Sequence, residues 1–155
     1  MKHVSGLIIG IFFCLTLAVP NHGLAKSKTL NFQCAYPATA YMGQTTEFFA
    51  ERVKELTNGE VTIKVFWPGQ LAKTKEVFES VKTGMIDGYS GSMLYFAGFV
   101  PEVNCEWLPF GWASPKEAAD VYQNHGWLDL MRQATAKHGI RYIAPMATAS
   151  MGLIT

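Results

Sequence analysis

The sequence carries almost no net charge, has few cysteines and lacks several motifs that mark enzymes. Its 155 residues contain 13 Lys and Arg against 12 Asp and Glu, a formal net charge of +1. Since proteins that bind polyanions use clustered positive charge, we expect no nucleic acid among its partners. Hydrophobic residues form 49% of the chain and charged residues 16%, which is typical of a globular protein and excludes disorder and collagen-like repeats.

Motifs for nucleotide binding, hydrolysis and metal binding are also missing. No GxGxxG follows the first predicted strand, and no GxxxxGK is present. The segment GYSGS at 88–92 is one glycine short of a nucleophile elbow, because Ser92 stands where the second flanking glycine belongs. The chain has no CxxC and no clustered histidine pair. We therefore predict a protein that is not an enzyme and that uses no cofactor or metal.

The first 25 residues have the composition of a secretory signal peptide. A positively charged start precedes an apolar run at 7–19, and the segment ends with the small-residue sequence GLA at 23–25. The apolar run is short for a membrane span, which needs about 20 residues. Lipid modification of Cys14 fits less well, because two bulky phenylalanines precede it. We predict export to the periplasm with cleavage near Ala25.

Two cysteines remain after cleavage, Cys34 and Cys105. Export places them where a disulfide could persist. They stand 71 positions apart and each lies among apolar or aromatic residues, which favours buried free thiols. The sequence leaves their redox state open.

The mature chain alternates between strand and helix periodicity. Apolar residues alternate at 29–34, 61–65 and 85–90, which predicts three strands. Between them, a helical stripe at 44–57 ends at Asn58-Gly59, and a second helix with Thr74 as its cap ends at Gly84.

An aromatic, irregular segment at 95–112 follows, and then two more helical pieces. Ser114, Pro115 and Glu117 predict a capped helix start with a capping box. The helical pieces end at Gly139, and a last strand is predicted at 140–144. The order of elements predicts an α/β fold with a mostly parallel sheet flanked by helices.

Ligands of open α/β sheets collect beyond the carboxyl ends of the strands. In this sequence those ends are rich in polar and aromatic residues, namely Tyr36, Tyr41, Gln44, Trp67, Gln70, Tyr89, Ser90, Ser92, Tyr95, Thr148 and Ser150. The pattern predicts a neutral pocket that hydrogen-bonds a small solute. The alternative is that these loops are polar because they are loops, and that their tyrosines cover sheet edges.

Several segments together resemble a known family. They are LTNGE at 56–60, VTIKVFWPGQL at 61–71, EVFESVKTGMID at 76–87 and LPFG at 108–111. In this order and in an exported chain, they resemble the solute-binding subunits of tripartite ATP-independent periplasmic (TRAP) transporters, the DctP-like family. The resemblance covers about residues 29–155.

The resemblance implies a periplasmic-binding-protein-like fold whose two lobes close over a small organic acid and deliver it to membrane permease subunits. Its arginine that pairs with the ligand carboxylate matches none of Arg52, Arg132 and Arg141. The implied organisation is a signal peptide at 1–25, a first lobe at 26–145 and the start of a crossover at 146–155. The second lobe would then be largely absent and ligand affinity weak.

The resemblance also implies ligand contacts in the first lobe. The candidates are Tyr36, Tyr41, Ser90, Ser92, Tyr95, Thr148 and Ser150, with Ser92 and Tyr95 as the best two. Family members that bind keto acids with a metal often have glutamine before the Met-Gly pair, and here Ser150 precedes Met151-Gly152. This departure argues against a bound cation, and the sequence leaves open whether one is bound together with the ligand. The alternative functions are an exported sensor or adaptor module and, less in keeping with the sequence, an exported enzyme.

Overall fold

The structure, a computed structural model, describes residues 27–108 and 111–146 and is built around a parallel sheet. Within these residues the strands are β1 (Lys28–Cys34), β2 (Val61–Phe66) and β3 (Gly88–Ser90). They lie in the order β2-β1-β3. Leu30 pairs with Ile63 and Gln33 pairs with Tyr89, so β1 has a parallel neighbour on each side. The predicted α/β fold with a mostly parallel sheet is confirmed.

Helices connect and cover these strands. The α-helices are α1 (Tyr41–Leu56), α2 (Val77–Lys82), α3 (Pro115–Asn124) and α4 (Trp127–Ala136). Two 3-10 helices, Met93–Phe96 and Pro101–Trp107, follow β3. None of the helices in the described part of the chain is both long and apolar enough to cross a bilayer.

Helix α1 covers one face of the sheet through a small hydrophobic cluster, here called the smaller core. Its buried members are Phe32, Ala50 and Ile63, because alternate residues of β1 and β2 point toward α1. Gly43 lets the chain after β1 approach α1, since a Cβ at this position would lie 2.2 Å from the carbonyl oxygen of Pro37. The helix and the loop at the carboxyl end of β1 are therefore held close together.

The second hydrophobic cluster, here called the larger core, joins the remaining elements. Its buried members are Ala72, Val77, Phe78, Ile86, Phe96, Val100, Val103, Tyr122, Met131 and Ala134. Gln33 links β1 to this region: its amide donates to the Ala72 carbonyl, and its Oε1 accepts from the backbone N–H groups of Leu71 and Ala72. A buried polar side chain satisfied in this way ties the sheet to the loop after β2.

A half-buried carboxyl group, that of Glu106, lies at the edge of the larger core. The Tyr122 hydroxyl donates to the Glu106 carboxylate, and the Glu106 carbonyl accepts from the indole N–H of Trp112. Burial raises the pKa of Glu106, and the hydrogen bond from Tyr122 offsets part of this effect. Glu106 thus connects the second 3-10 helix to α3.

The start of α3 follows the predicted cap. The Ser114 hydroxyl accepts from the backbone N–H of Glu117 at 3.2 Å, and Pro115 is the first helical residue. The Glu117 carboxylate accepts from the backbone N–H of Ala113, one residue before the cap, at 2.7 Å. In a capping box the Glu117 side chain would accept from the N–H of the cap residue Ser114. Here it accepts from the N–H of Ala113 instead, so only half of the predicted capping box forms.

The prediction that Thr74 caps α2 is wrong. The helix begins at Val77, and its N-cap residue is Glu76, which makes no side-chain capping bond. Residues 73–76 form a turn in which the Glu76 N–H donates to the Lys73 carbonyl and the Glu76 carboxylate accepts from the Lys73 N–H. This turn places Thr74 outside the helix.

The β3 strand is also shorter than predicted, because the backbone N–H of Ile86 donates to the carbonyl of Ser80 in α2.

The predicted last strand at 140–144 is wrong. Residues 141–146 have no strand pairing, although Ile140 and Tyr142 pack against the larger core as their alternation suggests. The Arg132 guanidinium donates to the carbonyls of Tyr142 and Ile143 at 3.4 and 3.3 Å. These carbonyls bond to α4 instead of to a neighbouring strand, so the apolar alternation is used for packing alone.

The cysteines match the prediction in part. Cys34 and Cys105 are both free thiols, and Cys34 is buried as expected. Cys105 is exposed, so its predicted burial is wrong. It lies on the second 3-10 helix, from which Val103 is the residue that enters the larger core.

Candidate functional site

A cleft of about 380 Å³ opens where the carboxyl ends of the strands meet the segments that follow them. Its lining residues are Ala35, Thr74, Lys75 and Tyr95, and we call it the strand-end cleft. Ala35 directly follows β1, and its N–H donates to the carbonyl of Ser90 at the end of β3. The remaining three come from the turn before α2 and from the first 3-10 helix. The cleft therefore lies where parallel sheets commonly bind ligands.

Three tyrosines gather beside the cleft. Burial raises the pKa of Tyr36, and the proximity of Tyr95 and Cys34 adds to this effect. Burial raises the pKa of Tyr89 more strongly, with further contributions from Tyr36 and Tyr95. The hydroxyl groups of Tyr36 and Tyr89 therefore stay neutral over the physiological pH range. Tyr36 and Tyr95 come from different predicted strand ends, and the structure brings them together.

Tyr89 is the most buried of these three tyrosines and lies close to Tyr36 and Tyr95. A Cβ at Gly91 would lie 2.3 Å from the Tyr89 hydroxyl oxygen and 2.7 Å from the Ala35 Cβ, so only glycine leaves room for the ring. The Tyr89 ring also packs edge-on against Phe96, with centroids 5.3 Å apart. Its hydroxyl is buried and has no hydrogen-bond partner among the residues that the structure describes.

Ser90 is engaged within the protein. Its hydroxyl lies 2.7 Å from the Thr46 hydroxyl of α1 and 3.8 Å from the Met146 sulfur. The Thr46 hydroxyl also donates to the Met42 carbonyl and lies 3.4 Å from the Cys34 sulfur. Since each hydroxyl has one proton, Ser90 cannot donate to Thr46 and to Met146 at the same time, and either hydroxyl can be the donor between Ser90 and Thr46. These contacts tie the end of β3 to α1.

Ser92 and Tyr41 occupy helix starts. The Ser92 hydroxyl caps the first 3-10 helix by accepting from the Leu94 N–H at 3.2 Å. Tyr41 begins α1 and is 70% exposed. Tyr95 is also exposed, at 58%, but lines the strand-end cleft. Of the predicted site residues, Tyr95 thus has the most direct place in the cleft.

Two predicted site residues, Thr148 and Ser150, lie outside the described residues. In the ranges 27–108 and 111–146, no three side chains of His, Cys, Asp or Glu come together as a metal-ligand set.

Sequence reasoning missed one cleft residue, Lys75. Ala35 and Thr74 lie within the predicted strand-end segments 35–44 and 67–74, but neither was named as a contact. Lys75 forms no ion pair with any residue that the structure describes, and it brings a positive charge to an otherwise neutral cleft. A signal was available: the polar run Lys73-Thr74-Lys75 follows the carboxyl end of β2. It was overlooked because its residues resemble an ordinary helix start.

Known proteins share this fold and sequence pattern. A TRAP periplasmic solute-binding protein from Rhodobacter sphaeroides, solved in an open form without ligand, is 35% identical, with a TM-score of 0.67 over 72% of this chain and 36% of that protein. One from Sulfurospirillum deleyianum, solved with bound succinate, is 27% identical, with a TM-score of 0.61 and the same coverage. The monocarboxylate 2-oxoacid-binding periplasmic protein of a Nostoc species is 29% identical over 68% of this chain and 29% of its own length.

The chain thus spans about a third of the length of these relatives. A sequence model of the bacterial extracellular solute-binding proteins, family 7, matches residues 32–153. That match covers most of the chain, and the fold agrees with it. The chain belongs to this DctP family, whose solved members here are TRAP-type periplasmic solute-binding proteins.

Proposed function

We propose that this chain provides one wall of the ligand site of a TRAP-type solute-binding protein that captures a small organic acid without reacting with it. Membrane permease subunits would then receive the ligand. Two observations on relatives support this: the Sulfurospirillum protein holds succinate, and the Nostoc protein is a 2-oxoacid-binding protein. Both ligand types carry a carboxylate.

The single observation that carries the proposal is the polar lining of the strand-end cleft. Lys75 offers an ammonium group, and Thr74 and Tyr95 offer hydroxyl groups around the same space. An ammonium group and neutral hydroxyls are suitable donors to a carboxylate, and charge-assisted hydrogen bonds are stronger than neutral ones. Ser92 and Tyr36, which lie near the cleft but do not line it, stay candidates for additional contacts with the ligand.

Transport requires that the conformation of the ligand-bound receptor differ from that of the free receptor. In a two-lobed receptor, a ligand that contacts both walls has higher affinity for the closed form and shifts the population toward it. The wall described here would supply the positive charge, and the opposing wall the remaining contacts.

The direct test is a titration of the purified chain, followed by NMR chemical shifts, with succinate, pyruvate and D-glucuronate. D-Glucose serves as the neutral counterpart of D-glucuronate. Lys75→Gln should weaken acid binding about tenfold or more, since a hydrogen bond to a charged group contributes about 1.5–3 kcal/mol. Lys73→Gln is the matched control, because Lys73 is an exposed neighbour outside the cleft lining.

Equal shifts for D-glucose and D-glucuronate would contradict a carboxylate site. So would acid binding that Lys75→Gln leaves unchanged, because the ligand would then lie away from the strand-end cleft.

We also propose export to the periplasm with cleavage after Ala25, followed by a first lobe at 26–145 and a crossover segment at 146–155. The short positive start and apolar run support the cleavage. Mass spectrometry of the protein recovered from the periplasm should find Lys26 as the first residue. A retained N-terminus would contradict this assignment.

A further inference from the structure

Gln33 is a buried amide on the central strand of the sheet, next to the candidate site. It is 2% exposed, and on β1 it pairs with Phe66 at the end of β2 and with Tyr89 on β3. The chain reaches Ala35, which lines the strand-end cleft, two residues later. Gln33 therefore lies where all three strands approach the cleft.

The side chain of Gln33 binds the loop after β2 through three hydrogen bonds. Its Nε2 donates to the Ala72 carbonyl at 2.8 Å, and its Oε1 accepts from the backbone N–H groups of Ala72 at 2.8 Å and Leu71 at 3.1 Å. The amide thus bonds both backbone groups of Ala72, as a hydrogen-bonded residue of a neighbouring strand would. The two bonds to Ala72 are buried, so losing either would leave an unpaired polar group in the interior, which is costly.

The loop held by Gln33 leads into the turn that lines the cleft. Lys75 stands three residues after Ala72, in a turn closed by the hydrogen bond from the Glu76 N–H to the Lys73 carbonyl. The Lys75 side chain is exposed and forms no ion pair within the described part of the chain. Because no ion pair holds this side chain, the backbone of the turn decides where its ammonium group lies. That backbone is fixed to the sheet at Ala72.

We propose that Gln33 is a positioning residue for acid binding: through Ala72 it holds the turn that presents Lys75 to the ligand carboxylate. This inference rests on the proposed function of the cleft, and it gives a role in that function to a side chain that does not line the cleft. Because one amide joins β1 to the loop, the walls contributed by Ala35 and Lys75 keep a fixed separation. The role must be tested by ligand affinity, since the same bonds also stabilise the fold.

Gln33→Glu tests this role, because the two side chains have nearly the same shape but different hydrogen-bonding groups. A protonated glutamate can donate to the Ala72 carbonyl and accept from the N–H groups, whereas a carboxylate can only accept. At low pH the variant should therefore bind pyruvate about as tightly as the wild type. As pH rises, the carboxylate should repel the Ala72 carbonyl, release the loop and weaken binding about tenfold or more.

The groups around Gln33 allow this pH profile to be interpreted. Tyr89, opposite Gln33 on β3, has a pKa raised by burial and stays neutral from about pH 5 to pH 8. The charged side chains of the turn, those of Lys73, Lys75 and Glu76, are exposed. They are present in both proteins, so comparison with the wild-type profile removes their contribution. Pyruvate is ionised throughout this range.

Gln70→Glu is the matched control, because it makes the same substitution in the same loop. The exposed Gln70 side chain accepts from the Trp67 N–H at 2.9 Å, which a carboxylate can do equally well. This variant adds a negative charge to the loop and keeps the hydrogen bond. Its pyruvate affinity should therefore follow the wild-type pH profile.

A double variant tests whether Gln33 acts through Lys75. In a Lys75→Gln background, Gln33→Glu should have little further effect on pyruvate affinity at high pH, because the group that it positions is already gone. Residues that act as one unit show such non-additive effects, whereas independent sites add.

NMR titration gives the pyruvate affinities, and circular dichroism at each pH reports whether the protein is folded. Loss of affinity in folded Gln33→Glu, with recovery at low pH, would support the role. The role would be overturned by a wild-type pH profile in Gln33→Glu, by a loss that appears only on unfolding, or by additive effects in the double variant. Absence of acid binding by the wild type would instead overturn the proposed function, and this role with it.

Discussion

The smaller and larger cores of this protein are held together in different ways. In the smaller core, α1 packs on the sheet around three buried side chains, Phe32, Ala50 and Ile63, and Gly43 and Gly88 allow close approach. A Cβ at Gly88 would lie 1.6 Å from the Phe32 ring, so that ring occupies the space above β3. The larger core instead depends on stacked aromatic rings, such as Phe78 against Phe99 at 4.5 Å.

The two cores therefore position different parts of the strand-end cleft. The smaller core sets the distance between β1, α1 and the loop that carries Tyr36. The larger core buries more side chains and holds Lys75 and Tyr95 on the other wall of the cleft. Substitutions in the larger core should therefore reduce stability most. Backbone contacts in the smaller core should instead control the position of the loop that carries Tyr36.

The largest effect should come from Phe78→Ala. Phe78 is 2% exposed and contacts Phe96 and Phe99, so its removal leaves a cavity that costs about 3–5 kcal/mol. The free energy of unfolding in urea measures this loss. Met85→Ala, at an exposed position, should change it by less than about 0.5 kcal/mol. Similar losses for both variants would contradict the assignment of the larger core.

Gly43→Ala should have an intermediate effect by disturbing the smaller core. The new Cβ would press on the Pro37 carbonyl, and backbone cannot move aside as a flexible side chain can. Overpacking of this kind costs about 1–3 kcal/mol, which exceeds the gain in helix propensity of about 1 kcal/mol. Gly98→Ala is the control, because no heavy atom lies within 4 Å of its added Cβ. A neutral Gly43→Ala, measured by urea unfolding, would mean that the loop after β1 moves freely.

The smallest effect should come from Glu106→Gln at the polar edge of the larger core. This substitution should change how the free energy of unfolding depends on pH. Burial raises the pKa of Glu106 in the folded state, so its contribution to stability is present below the unfolded pKa and is lost as pH rises through the folded pKa. The wild type should therefore lose stability relative to Glu106→Gln over a pH range that starts near the ordinary glutamate pKa of 4.5 and extends above it. Urea unfolding across this range measures it, and parallel pH profiles would contradict it.

The elements around the smaller core could be predicted from sequence with nearly correct bounds. Leu30 and Phe32 alternate along β1, and Asn58-Gly59 ends α1 through two residues with positive φ. These signals are local, because periodicity and backbone preference act within a few residues. The 3-10 helices after β3 and the unpaired segment after Gly139 were harder to predict, since their hydrogen bonds depend on distant partners such as Arg132.

The candidate site could be predicted in part. The strand ends identified Tyr36 and Tyr95, which do lie together. They also identified Ser90, whose hydroxyl bonds to Thr46 of α1. Lys75 was missed because its sequence neighbours indicate a helix start and nothing in them shows that it lines a cleft.

The sequence by itself determined the family and the alternation of strands and helices, because motif order and side-chain period are properties of the chain. Only the tertiary structure decided which groups share the cleft. Ala35, Lys75 and Tyr95 are far apart along the chain, and they converge only after β1 and β3 pair and the larger core holds the turn before α2. The face of α1 that is buried likewise follows from its packing on the sheet, through Ala50 against Phe32 and Ile63.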